Sequence, residues 1–255
     1  MTGHQKMFTA ATFEGPEGPA PVLLLCEHAS REIPKQYKGL GLSPEVARSH
    51  VAWDPGALEL TRLLSRALSV PLVAGNVSRL LYDCNRPPEA PDAVPAVSEI
   101  YEIPGNFDLS AQERAEREEL IYRPFCKAVD EAIARVNPVA IVTVHSFTPV
   151  YFGRHRRVEI GVLHDSDSRL ADAMLARLER TEEAVERNQP YGPDDGVTHS
   201  LLKHAQSRGL LNVMLEVRND LLADPEGIER VGMLLGGALA LSLADTGALA
   251  QGGRG

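Results

Sequence analysis

Short apolar runs without alternation recur along the chain, separated by stretches with helical periodicity. Residues 22–26 (VLLLC), 71–75 (PLVAG), 140–144 (AIVTV), 158–163 (VEIGVL) and 212–217 (NVMLEV) predict strands buried on both faces, with 79–83 (RLLYD) a further strand. Leu58, Leu60, Leu63, Leu64 and Leu68 form one broad apolar face of a helix predicted over 55–68. Ser110 followed by Glu113 fits a capping box, which opens a charged helix running to about Arg135. Further helices are predicted near 168–180, 198–208 and 225–244. Strands and helices alternating at these lengths predict an α/β sandwich around a mostly parallel sheet. Nothing in the chain reads as a linker. One domain is therefore expected over residues 1–255, with 1–20 a loose arm and 250–255 a Gly-rich tail.

In such folds the chemistry lies at the carboxyl ends of the strands. Four polar clusters stand there: Glu27-His28-Ala29-Ser30, Cys84-Asn85-Arg86-Pro87, His145-Ser146-Phe147 and Glu216-Val217-Arg218-Asn219-Asp220. Convergent strand ends would gather two histidines, several carboxylates and two arginines in one crevice. That donor set suits one zinc ion, which takes imidazole and carboxylate ligands at catalytic sites and keeps a place for water. A carboxylate off the metal then serves as general base, and arginines grip anionic substrate groups. Glu216, inside an apolar strand, is the residue with fewest structural explanations, because a buried carboxylate is costly without a partner. Asp54 in AWDPG reads from the residues alone as a helix N-cap, with Pro55 at the first helical position.

The net charge of -9 argues against nucleic-acid or anionic-membrane partners and leaves small anionic substrates open. Three cysteines give neither a disulfide framework nor a metal knuckle, and a reducing compartment is the simplest setting. No signal-peptide pattern opens the chain, and no uninterrupted apolar run reaches the roughly 20 residues that span a bilayer. A cytoplasmic enzyme is the expectation.

At these same residues the sequence resembles the N-formylglutamate amidohydrolase family. The likeness is carried by residues 26–34 (CEHASREIP), 50–57 (HVAWDPGA), 78–87 (SRLLYDCNRP), 144–147 (VHSF), 188–196 (NQPYGPDDG) and 215–221 (LEVRNDL). That family is similar in turn to zinc carboxypeptidases and acyl-amino-acid deacylases. The resemblance implies a three-layer αβα sandwich with a mixed sheet, and cleavage of the amide of a small N-acyl amino acid such as N-formylglutamate, in amino-acid catabolism of the histidine-degradation type. It implies His28, Asp54 and His145 as ligands of one zinc, Glu216 as general base, and Asn85 with Arg86 as the clamp on the substrate carboxylate. Carboxypeptidases carry an acidic ligand three residues after the first His, where this chain has Arg31. Asp54 is the substitute, with His50 as a rival. Glu27, on an extended chain, would point away from His28. Ser30, Tyr191 and Arg218 are further candidates to contact substrate, Tyr191 from a Pro- and Gly-rich loop and Arg218 from the strand face of Glu216. Two other readings stay open: a metal-free hydrolase using Cys26 or Ser30 as nucleophile, and a binding protein that holds an acyl amino acid without turnover.

Overall fold

In the computed structural model, residues 8–246 are described. One seven-stranded sheet is formed by β1 (Ala11–Glu14), β2 (Val22–Cys26), β3 (Leu72–Gly75), β4 (Ala140–Phe147), β5 (Ile160–Leu163), β6 (Val185–Arg187) and β7 (Leu211–Arg218); the apolar runs supply β2, β3, β4, β5 and β7, while β1 and β6 lie outside them. Their spatial order is β1-β3-β2-β4-β7-β5-β6. The four central strands β3, β2, β4 and β7 are parallel; β1 joins one edge antiparallel, and β5, paired parallel with β6, runs antiparallel to β7. The sheet is therefore mixed and mostly parallel. Every residue of β2 and β4 is buried, as continuous apolar runs require.

Helices surround the sheet. Helix α1 (Ala57–Leu68) places Leu60 and Leu64 in the core. The capping box at Ser110 is present and opens α2 (Ala111–Arg117), which continues through a π-turn (Glu118–Tyr122) into α3 (Arg123–Val136). Helix α4 (Arg169–Leu178) follows β5, and α5 (Pro225–Asp245), N-capped by Asp224, closes the described chain. Helix α5 approaches α1 closely because its residues there are glycines: a Cβ on Gly232 would stand 2.4 Å from Leu63 Cδ2.

Several expectations change. Residues 11–14, expected in a loose arm, form an edge strand, because β1 pairs from Ala11–Gly75 to Glu14–Leu72 and Asn76 ties its start to Thr9. The expected tail at 250–255 lies outside the described residues. Residues 79–83 are not a strand but a turn held by Leu81 N–H on the Ser78 carbonyl. In the 198–208 segment a π-turn (Leu201–Ala205) and a 3-10 turn (Gln206–Arg208) replace a regular helix. Helix α5 is long and apolar enough by length and composition to cross a membrane, unlike any segment expected from the sequence. Its Val231, Leu235, Leu239 and Leu243 are instead buried in the core.

Candidate active site

The carboxyl ends of β2, β4 and β7 lie side by side, so the residues that end or follow them share one crevice. In the β4–β7 register His145 stands opposite Glu216. His28 comes two residues after β2. Asp54 arrives from the turn before α1, where its backbone N–H donates to the His28 carbonyl at 3.0 Å. Gly56 then turns the chain into α1 with φ of +80, and a Cβ there would meet Leu222 Cβ at 2.4 Å. No side chain caps α1. The Asp54 carboxylate is thus not a helix cap and turns inward.

His28, Asp54 and His145 are all buried, and one donor atom of each lies within 4.8 Å of the others. The two Nδ1 atoms are 3.2 Å apart, and Asp54 Oδ2 is 3.4 Å from His28 Nδ1 and 3.0 Å from His145 Nδ1. Tetrahedral zinc, with nitrogen and oxygen ligands near 2.1 Å, sets its donors about 3.3 Å apart. The triangle already has that size, so these residues fit the ion. The outward nitrogens are backed by carboxylates: His28 Nε2 lies 2.7 Å from Asp83 Oδ1, and His145 Nε2 lies 3.2 Å from Glu27 Oε2. A proton on each outer nitrogen, facing its carboxylate, would leave the inner lone pair for a metal. Glu27, though it leaves the donor triangle to others, reaches His145 from the far side. Arg79 joins the two aspartates, with Nη1 3.3 Å from Asp54 Oδ1 and Nη2 2.9 Å from Asp83 Oδ2. Ser146 N–H adds a donor to Asp54 Oδ2 at 3.2 Å.

Burial opposes charge on Asp54 and Asp83, but the facing His28 and Arg79 hold both carboxyls well below the usual range. Burial likewise disfavours the imidazolium of His28 and His145. Asp83 and Asp54 overcome this at His28, and Glu27 and Asp54 at His145, so both are pushed up. Glu216 moves the other way from the aspartates. Burial, with Asp54 nearby, lifts it to about 7. Its Oε2 has no hydrogen-bond partner among the described residues. A carboxylate poised near neutrality, buried and unpartnered in a cleft, is equipped for proton transfer.

The crevice opens into a cavity of about 300 Å³, lined by the histidine–aspartate triangle together with Arg79, Asn85, Arg86, Tyr191 and Glu216 among others. The expected clamp divides. Asn85 spends its side chain on the chain itself: Nδ2 donates to the Val197 carbonyl at 2.6 Å and Oδ1 accepts from Ser200 N–H at 2.9 Å. Arg86 binds Asp92 through Nε and two carbonyls through Nη1, and its Nη2 takes no part in these bonds. Tyr191 lines the cavity and accepts a hydrogen bond from Arg156 at 2.9 Å; burial raises its phenol to about 12.

Two expected contacts fall elsewhere. Ser30 accepts from Glu32 N–H at 3.1 Å, a local turn, and does not line the cavity. Arg218 is drawn away by Asp220 and Glu159, at 2.8 and 3.1 Å, and by the Arg156 carbonyl. Parity placed it on the Glu216 face, but these acids pull its guanidinium out of the cavity. His50 lines the cavity yet pairs with Glu99 at 2.8 Å, outside the triangle. Asp83 and Arg79 were not singled out in the sequence. Their spacing of four, which a turn can close into an ion pair, was the available signal.

The model of the N-formylglutamate amidohydrolase family matches residues 20–223. The solved structure of a gene product from Agrobacterium tumefaciens is 52% identical, with a TM-score of 0.89, covering 94% of this chain and 97% of its own. An N-formylglutamate amidohydrolase from Ralstonia eutropha shares the fold at 20% identity and a TM-score of 0.65, covering 92% and 97% of the two chains. A search among curated proteins found no match. With a family model spanning most of the length and the matched segments carrying the crevice, the chain belongs to the N-formylglutamate amidohydrolase family.

Proposed function

We propose that this chain is a zinc-dependent amidohydrolase that cleaves the amide of a small N-acyl amino acid, N-formyl amino acids such as N-formylglutamate first among them. The observation that carries the reading is the buried triangle of His28 Nδ1, His145 Nδ1 and Asp54 Oδ2, with edges of 3.2, 3.0 and 3.4 Å. These residues would hold one zinc, which when bound supplies a Lewis acid for the acyl carbonyl and acidifies a water toward pKa 7. Glu216 takes the proton of the attacking water. It returns that proton to the nitrogen as the C–N bond breaks, so a carboxylic acid and a free amino acid leave. Arg86 presents Nη2 to the α-carboxylate, while Asn85 fixes the turn that carries it. Tyr191, its oxygen already accepting from Arg156, has its own hydrogen to donate to substrate.

Neither candidate nucleophile of the metal-free reading is placed for attack. Cys26 is fully buried with its thiol pushed up by burial, and Ser30 holds a turn. Buried free thiols at Cys26, Cys84 and Cys126 support a reducing, cytoplasmic setting. Metal analysis of the purified protein, with a hydrolysis screen of N-formyl, N-acetyl and N-succinyl amino acids, tests the proposal. About one zinc per chain and cleavage of at least one class are expected. Full activity after exhaustive chelation, or zinc held as tightly by His28→Ala and His145→Ala, would overturn it.

A further inference from the structure

Arg156 stands beside the cavity without lining it. It follows a rim hairpin in which Val150–Tyr151 pairs with Arg154–His155. Its backbone is fixed on both sides: the N–H donates to the Pro149 carbonyl at 2.8 Å, and the carbonyl accepts from Arg218 Nη1 at 3.3 Å. Arg218 is itself held by Asp220 at 2.8 Å and Glu159 at 3.1 Å. The hairpin tip is tied as well, since Phe152 N–H donates to Glu99 at 3.1 Å and His50 meets the same carboxylate at 2.8 Å. Arg218, drawn out of the cavity by its acids, thus steadies the base from which Arg156 reaches.

From that base the guanidinium meets three rings, 4.3 Å from Tyr151, 4.8 Å from Tyr191 and 5.4 Å from Phe147, distances at which a cation is attracted to an aromatic face. Its Nη1 donates to the Thr148 carbonyl at 3.4 Å and its Nη2 to the Tyr191 hydroxyl at 2.9 Å. All three aromatic residues line the cavity and Arg156 does not, so its effect on a ligand passes through them. The Tyr191 ring also packs on Leu163, Val197, Leu201 and Met214, which hold the ring without help from Arg156. The direction of the hydroxyl is another matter. A phenol has one hydrogen to donate, and accepting from Arg156 turns that hydrogen away from the guanidinium. Among the described residues the hydroxyl has no other partner. Burial, with Glu216 next, raises the phenol to about 12, so it keeps its hydrogen at neutral pH.

We propose that Arg156 is a positioning residue for the amide cleavage: it stays clear of substrate and sets the Tyr191 hydroxyl so that its one hydrogen points into the cavity that Glu216 lines. The inference rests on the proposed amidohydrolase reading and adds a residue that acts on that site from behind its aromatic wall. Its test is a double-mutant cycle on zinc-loaded protein, with N-formyl-L-glutamate or the best-cleaved compound of the N-formyl, N-acetyl and N-succinyl screen. Arg156→Ala should raise KM by about tenfold and leave kcat within about threefold, the pattern of a lost contact to bound substrate. Tyr191→Phe should do the same. The double variant should be no worse than about tenfold, because the two residues serve one contact; independent roles would multiply to about 100-fold. Multiplying effects, or an unchanged KM in Arg156→Ala, overturn the proposal. A second readout needs no turnover. In protein with ring-labelled tyrosine, the nuclear magnetic resonance signal of Tyr191 is the one lost in Tyr191→Phe. It should shift in Arg156→Ala, and an unmoved signal also overturns the proposal. A shifted signal in a protein that cleaves none of the compounds leaves the placement of Tyr191 by Arg156 standing and sinks the amidohydrolase reading alone.

Discussion

Asp83 supports the donor triangle from outside it. Its Oδ1 holds His28 Nε2 and the Asn85 N–H, at 2.7 and 2.8 Å, while Oδ2 holds Arg79. Removing its charge should let the His28 ring turn and weaken its Nδ1 as a donor. Asp83→Asn is expected to lower zinc affinity by about 10–100-fold, read by competition with a chromophoric chelator. Glu216 predicts the opposite pattern. Glu216→Gln keeps the shape and loses the base, so kcat should fall by about 10²–10⁴-fold while zinc affinity stays within about threefold. A parallel loss of metal would assign Glu216 to the ligands instead. Residue by residue, the sequence exposed the groups that needed unusual environments: two histidines at strand ends, and a carboxylate inside an apolar strand. It hid Asp83, because the apolar Leu80-Leu81-Tyr82 beside it imitates a strand. Strand parity also overreached at Arg218, since alternation gives the face a side chain leaves from and not the acids that capture its far end.

The elements that shape the cavity are as much turns as strands. Were residues 79–83 extended, the Cα atoms of Arg79 and Asp83 would stand about 13 Å apart, at roughly 3.3 Å per residue. The turn shortens that span, lets Arg79 Nη2 reach Asp83 Oδ2 at 2.9 Å, and places both side chains beside His28 and Asp54. Central strands were legible because continuous burial leaves an unbroken apolar run. The edge strands β1 and β6 were not, since ATFE and VER are short and half-exposed and pair only through backbone groups. The loop bearing Tyr191 depends on one such hidden feature. Gly161 of β5 lies opposite Glu216 in the sheet, and a Cβ there would stand 1.9 Å from the Gln189 carbonyl oxygen. Gly161→Ala should therefore push the 188–191 segment off the sheet. The expected result is a destabilisation of about 1–3 kcal/mol in denaturant unfolding, together with a raised KM as Tyr191 retreats. Unchanged stability and KM would mean that the loop does not rest on this strand as described.

Across the whole molecule the core and the centre pull in different directions. The sheet and its helices bury apolar surface continuously, yet four buried carboxylates, Glu27, Asp54, Asp83 and Glu216, sit in it against Arg79 and two histidines. Without a metal, the histidines must supply the missing positive charge. Their pKa values are raised in the folded chain, so the stability they contribute is complete below their unfolded value near 6.5 and is lost as pH rises through the folded values. Glu216 adds to the same trend. Its folded value of about 7 exceeds the unfolded 4.5, so folding is disfavoured increasingly across that interval. Asp54 and Asp83, held low, contribute stability that disappears only as pH falls below about 4. The metal-free protein should therefore be most stable in mildly acid solution at about pH 4–5 and weaken as pH rises, first through Glu216 and above about pH 6.5 through the histidines as well. Zinc needs neutral imidazole, and its binding releases protons, so its stabilisation should grow over the same range. At free zinc 100-fold above Kd the gain is about 2.7 kcal/mol, or roughly 5–10 °C in Tm for a chain near this size. Calorimetric scans of chelated and zinc-loaded protein from pH 5.5 to 8.5 should show a Tm difference that widens with pH. A difference that is flat, or that narrows toward alkaline pH, would mean that the buried carboxylates do not depend on a metal to balance them.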